Sequence, residues 1–139
     1  MFWGVSRVLI GLAITGAILS FASAGLHELR AQTPPPGSKA IKGDELKKLV
    51  SDKTWVVQSQ ANLFVYNTAD GKRILKRPNG QIDQGGVWRI TADDKFCTKF
   101  PSVRNNAESC DVVYIRGDGT YLFLETDFAV EDGDSRKVK

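Results

Sequence analysis

Short β-branched and aromatic runs, each cut off by a cluster of turn-forming residues, occupy the chain from residue 54 to 125 and constrain its fold more than any other feature. The runs fall at 54–59, 62–67, 73–76, 86–91, 96–100, 110–116 and 120–125. Between them stand Ala69-Asp70-Gly71, Pro78-Asn79-Gly80, Ala92-Asp93-Asp94 and Gly117-Asp118-Gly119, all containing residues that accept turn geometry or positive φ. Turns this short join neighbouring strands as antiparallel hairpins. Six to seven such strands curl into a bent sheet or a partly closed barrel, because a flat antiparallel sheet leaves its edges exposed. One short helix precedes them. In Gly43-Asp44-Glu45-Leu46-Lys47-Lys48-Leu49-Val50 the acids come before the bases and the apolar residues recur at helical spacing. The expected fold is α+β and mainly antiparallel β, with a short N-terminal helix packed on a meander.

The rest of the chain divides by composition. Residues 1–24 read as a signal peptide: Arg7 supplies the positive region, 8–19 is apolar apart from Gly and one Thr, and Ala22-Ser23-Ala24 fits the small-x-small cleavage site. If that leader were retained, 8–26 would be just long enough to cross a bilayer, and it would be the chain's one route to a membrane. Residues 25–40 contain Pro34-Pro35-Pro36-Gly37 and little to bury, the composition of an extended spacer. Residues 41–126 form a single β-rich domain, and 127–139 read as a charged tail. Cleavage would leave about 115 residues, enough for one core and too few for two.

Export and the cysteines agree. Cys97 and Cys110 are the two cysteines of the chain, and in an oxidising compartment such an even pair forms a disulfide. The bridge would close the base of the polar loop 101–108. Two thiols without a neighbouring histidine do not complete a zinc site, so no metal or cofactor is expected. His27, the single histidine, sits between leader and spacer, which removes the usual exported zinc and Ser-His chemistries. The serines occur without a motif that would activate them, so no catalytic residue is assigned. Glu125, Asp127, Glu131, Asp132 and Asp134 cluster near the C-terminus but miss the calcium-loop pattern, and read as a solvated acidic segment. The 19 basic and 16 acidic residues, net +3, lack the concentrated basic excess of a nucleic-acid binder.

Two sets of residues remain as candidate binding positions. Arg73 and Arg77, with Lys72 and Lys76, surround Ile74-Leu75; they could meet an anionic surface, though a charged edge strand that blocks sheet-to-sheet association explains them more economically. Trp88 and Tyr114 would line the interior of a lipocalin-like carrier if the barrel enclosed a small apolar ligand.

At Gly85-Gly86-Val87-Trp88-Arg89-Ile90, Phe96-Cys97-Thr98, Cys110-Asp111-Val112-Val113-Tyr114 and Gly117-Asp118-Gly119-Thr120-Tyr121 the chain resembles a group of small exported proteins of Gram-negative bacteria that carry a domain of unknown function. The resemblance spans residues 41–126. It implies a periplasmic location and the disulfide, and it carries no activity. The functional expectation is a non-enzymatic exported domain, periplasmic or secreted, that binds an envelope protein or a surface polymer. The alternatives are the small-ligand carrier and an enzyme that works without histidine.

Overall fold

Among the described residues, ten strands form one antiparallel sheet that curls into a half-barrel, and one α-helix packs its apolar side on the core. The structure is a computed structural model and describes residues 33–139; the leader, His27 and the first part of the spacer lie outside the described residues. In chain order the elements are β1 (Lys39–Ile41), α1 (Gly43–Val50), β2 (Lys53–Val57), β3 (Phe64–Asn67), β4 (Lys72–Lys76), β5 (Ile82–Ile90), β6 (Phe96–Lys99), β7 (Ser109–Asp111), β8 (Val113–Ile115), β9 (Tyr121–Phe123) and β10 (Thr126–Asp132). Across the sheet the order is β1-β8-β9-β10-β2-β3-β4-β5-β6-β7. β7 ends that order and β8 stands next to its other end, yet Val112 alone separates them along the chain. One continuous segment therefore serves both ends of the sheet, which requires the sheet to curl.

Four hairpin turns repeat one hydrogen-bond pattern. Thr68, Arg77, Thr91 and Arg116 each donate a backbone N–H to the carbonyl four residues on, and each accepts from the N–H three residues on. That is the three-residue loop in which the last loop residue adopts positive φ. Gly71, Gly80 and Gly119 fill that position at φ 89°, 85° and 84°, where a side chain would be disfavoured, and Asp94 fills it at φ 61°. Side chains reinforce the pattern: Asp118 Oδ1 accepts from Thr120 N at 2.9 Å and Asn79 Oδ1 from Gln81 N at 3.0 Å.

A second device bends the sheet. Between the pairs Arg73↔Gly86 and Leu75↔Asp83, β4 advances two residues while β5 advances three, a bulge that increases local twist.

Alternation sorts the side chains to two faces. Trp55, Val65, Leu75, Phe96, Phe123 and Phe128 point inward and join Leu46 and Val50 of α1 in the main core. Trp55 is its centre, with ring centroids 5.2 Å from Phe96 and 4.9 Å from Phe128, and its indole N–H donates to Leu49 O at the end of α1, 3.1 Å away. On the outer face Tyr66 and Ile74 form a smaller cluster closed by Val138.

Three expectations need correction. The strands number ten instead of six to seven: β1 is too short to show alternation, and the expected strand 110–116 breaks at Val112 as it changes neighbours. The expected charged tail begins instead with β10, which lies between β9 and β2: Phe128 enters the core and the strand's acids face partners, Asp127 pairing with Arg116 at 2.7 Å, Asp132 with Lys53, and Glu131 with Arg136. β4, with Lys72, Arg73, Lys76 at or near its ends, is no edge strand, since β3 and β5 flank it on both sides.

Candidate functional site at a buried arginine

Arg73 faces the core. It is two residues from inward-pointing Leu75, so alternation turns its side chain inside, where it is only 4% exposed. A buried guanidinium is costly unless paired, and no carboxylate among the described residues pairs with it. What it has instead is softer. Its Cζ lies 5.5 Å from the ring centre of Trp55, 5.3 Å from Phe96 and 5.7 Å from Phe100, and Nη1 donates to Asn67 Oδ1 at 2.5 Å across the directly opposed β3–β4 pair. Nε of Arg73 and Nδ2 of Asn67 are buried without a partner. Burial pushes the guanidinium down to about 9, which leaves it charged at neutral pH.

Above Arg73 opens a cleft of about 180 Å³. Phe123 and Phe128 line it with Arg73, and Thr98, Phe100 and Ser109 of the β6–β7 hairpin form one wall. Val103, Arg104 and Ala107 come from the loop between those strands, and Leu124 and Thr126 from the β9–β10 turn. The loop residues Val103, Arg104 and Ala107 are exposed, so the rim is open to solvent while the floor is buried. Arg104 Nη1 donates to Ser109 Oγ at 3.0 Å, placing a second guanidinium beside the same wall. The cleft thus holds two cations, three hydroxyls and no acid. No lining side chain is a base able to activate the hydroxyls, so this is a donor set for holding an anion.

Local sequence builds this place with several specific devices. Gly86 lets Phe100 lie against β5: a Cβ there would stand 2.4 Å from both the Arg73 carbonyl oxygen and Phe100 Cε1. Gly85 does the same for Pro101, whose Cγ would be 2.9 Å from such a Cβ. Cys97 and Cys110, directly opposed across β6 and β7 and bridged, hold the base of the loop from the outer face. The backbone is strained on both sides of the rim. Arg104, Asn105 and Asn106 have φ of 52°, 54° and 63°, and Leu124 and Glu125 have φ of 48° and 63° in a tight turn that ordinarily takes Asn-Gly.

No protein-family model, no curated protein and no solved structure matches this chain.

The four candidate binding residues do not converge. Arg73 is at the cleft. Arg77 stands at the far end of the β4–β5 hairpin, where Nη2 reaches Ser102 Oγ at 3.5 Å. Trp88 packs on Phe96 with ring centres 6.2 Å apart and donates Nε1–H to Thr68 O at 2.9 Å. Tyr114 lies on β8 opposite Ala40 and Leu122. Neither aromatic lines the cleft: Trp88 packs against the core that the rings around Trp55 fill, and Tyr114 alternates with the core-facing Val113 and Ile115 and so lies on the outer face. Sequence reading missed Arg104, Ser109 and Thr126. The signal for Arg73 was present: Ile74-Leu75 puts apolar residues on both faces of β4, so a residue at 73 shares a buried face.

Proposed function

We propose that this chain is a non-enzymatic binding domain of the cell envelope, and that it engages an envelope protein or a surface polymer through the cleft above Arg73. One observation carries the reading: an arginine whose guanidinium is buried without an acid lines an open cleft that also contains a second arginine and no carboxylate. Retaining such an uncompensated charge disfavours folding, which is understandable where a partner completes the site. The filled interior supports surface recognition over enclosure of a large apolar cargo, and the disulfide supports an oxidising compartment.

The test is capture from envelope extract by the immobilised domain, comparing the unaltered chain with Arg104→Glu. Arg104 is exposed on the rim, so the substitution reverses the charge there without entering the core. Loss of the captured species, protein by mass spectrometry or polymer by sugar analysis, with an unchanged circular dichroism spectrum is the expected result. Identical capture by both forms would remove the cleft from the function.

A further inference from the structure

The cleft's chemistry specifies more than charge. Its volume of about 180 Å³ is close to that of the cavity of about 150 Å³ known to accept benzene, so the cleft has room for a group of about that size. Phe123, Phe128 and Leu124 present apolar surface to that group, while Arg73 and Arg104 present donors and Thr98, Ser109 and Thr126 present hydroxyls. A fully solvated inorganic anion would leave the aromatic surface unused, and an apolar molecule would leave the guanidinium of Arg73 without a counter-charge. Planar, forked donors match a carboxylate bidentately.

We infer that the cleft above Arg73 binds a carboxylate carried on a compact apolar body, its oxygens received by the Arg73 guanidinium and by Arg104. This rests on the cleft being the binding surface proposed above and names the group it receives. Such a carboxylate can be a free aromatic or branched aliphatic acid, or the apolar C-terminal residue of a chain. The buried charge is the reason to expect strong discrimination: a neutral isostere would fill the same space while leaving the guanidinium unpaired.

Calorimetric titration of the full domain with benzoate and with benzamide separates charge from shape on the unaltered protein, so no variant need fold for the central comparison. Benzoate is expected to bind at least about tenfold more tightly than benzamide, following the usual difference between charged and neutral hydrogen bonds. N-acetyl-glycyl-valine as the free acid and as its amide forms the second arm. Tighter binding of the dipeptide acid than of benzoate identifies a chain end as the target, and the reverse order identifies a free acid. Filling the cleft from its exposed rim with Ala107→Trp should abolish binding of both acids while the fold is retained. Acids and amides binding equally, or neither acid binding at millimolar concentration, would overturn the inference. If the acids fail while Arg104→Glu still abolishes capture, the carboxylate assignment falls and the binding surface stands.

Discussion

At Asp94 one residue reconciles two opposing demands. The three sister turns use glycine at this position, and an L side chain at φ 61° disfavours the conformation by about 1 kcal/mol, less for Asp than for most residues. The return is local: Asp94 Oδ1 accepts the N–H of Gly43 at 2.9 Å, satisfying an open donor at the start of α1, where Lys42 provides no side-chain cap. The same carboxylate therefore ties the β5–β6 turn to the helix. Asp94→Ala loses the cap and keeps the unfavourable φ, so we expect a loss of about 1–2 kcal/mol. Asp94→Gly loses the cap and gains conformational freedom, so it should fall much less, and urea denaturation of the pair measures the difference. Equal losses would mean that the cap alone matters. The turn was legible in the sequence as Ala92-Asp93-Asp94, but nothing along the chain indicated that Asp94 reaches a helix 51 positions away.

Among the elements, β10 and the residues after it show how charge can hide a strand. Glu131 receives both arms of the Arg136 guanidinium and the Ser135 hydroxyl, and Asp134 Oδ1 accepts from Val138 N at 2.6 Å, so the segment doubles back over β3 and β4. Arg136 then lies 5.1 Å over Phe64 and Lys139 Nζ 5.4 Å over Tyr66, and Val138 is fully buried between them. Beneath this flap the Tyr66 hydroxyl donates to Asp52 at 2.6 Å, which pushes its ionisation up to about 12. The hydrogen bonds from Arg136 and then Ser135 hold Glu131 down at about 2, from an ordinary 4.5. A carboxylate lowered in the folded state adds stability above its unfolded value and loses it as pH falls. The difference in stability between the unaltered chain and Glu131→Gln should therefore be present above pH 4.5 and disappear between 4.5 and 2. Because Glu131 is 31% exposed, solvent screening keeps that difference small. A difference that is unchanged at pH 2 would show that Glu131 acts by packing instead of charge.

For the whole molecule, the decisive fact is that residues 109–115 belong to both ends of the sheet. The disulfide staples that segment to β6, so it secures the curl and the wall of the cleft at once. A loop of this length is worth about 3 kcal/mol by the chain-entropy estimate, and in a domain of this size each 1 kcal/mol moves the midpoint by roughly 4 to 8 °C. Replacing Cys97 and Cys110 together with Ser should lower the melting temperature by about 10 °C or more. It should also increase hydrogen exchange in the loop 101–108 and at Ser109. A large fall in melting temperature without faster exchange there would separate the staple from the cleft.

Local sequence determined the features that depend on neighbours along the chain. The hairpin turns at residues 69–71, 78–80, 92–94 and 117–119, the helix at Gly43–Val50 and the disulfide partners were all readable, because turn residues, helical spacing and an even cysteine pair act over short range. Tertiary structure alone decided which strand adjoins which and what that brings together. β10 became an interior strand because Phe128 enters the core while the strand's acids meet partners such as Lys53 and Arg116, and Arg73 became an interior charge because Trp55, Phe96 and Phe100 cover its face of β4. The cleft is assembled from β4, β6, β7, β9 and β10, whose contacts cross long stretches of chain. Periodicity reports the face on which a side chain lies, but the identity of what covers that face depends on the curl of the whole sheet.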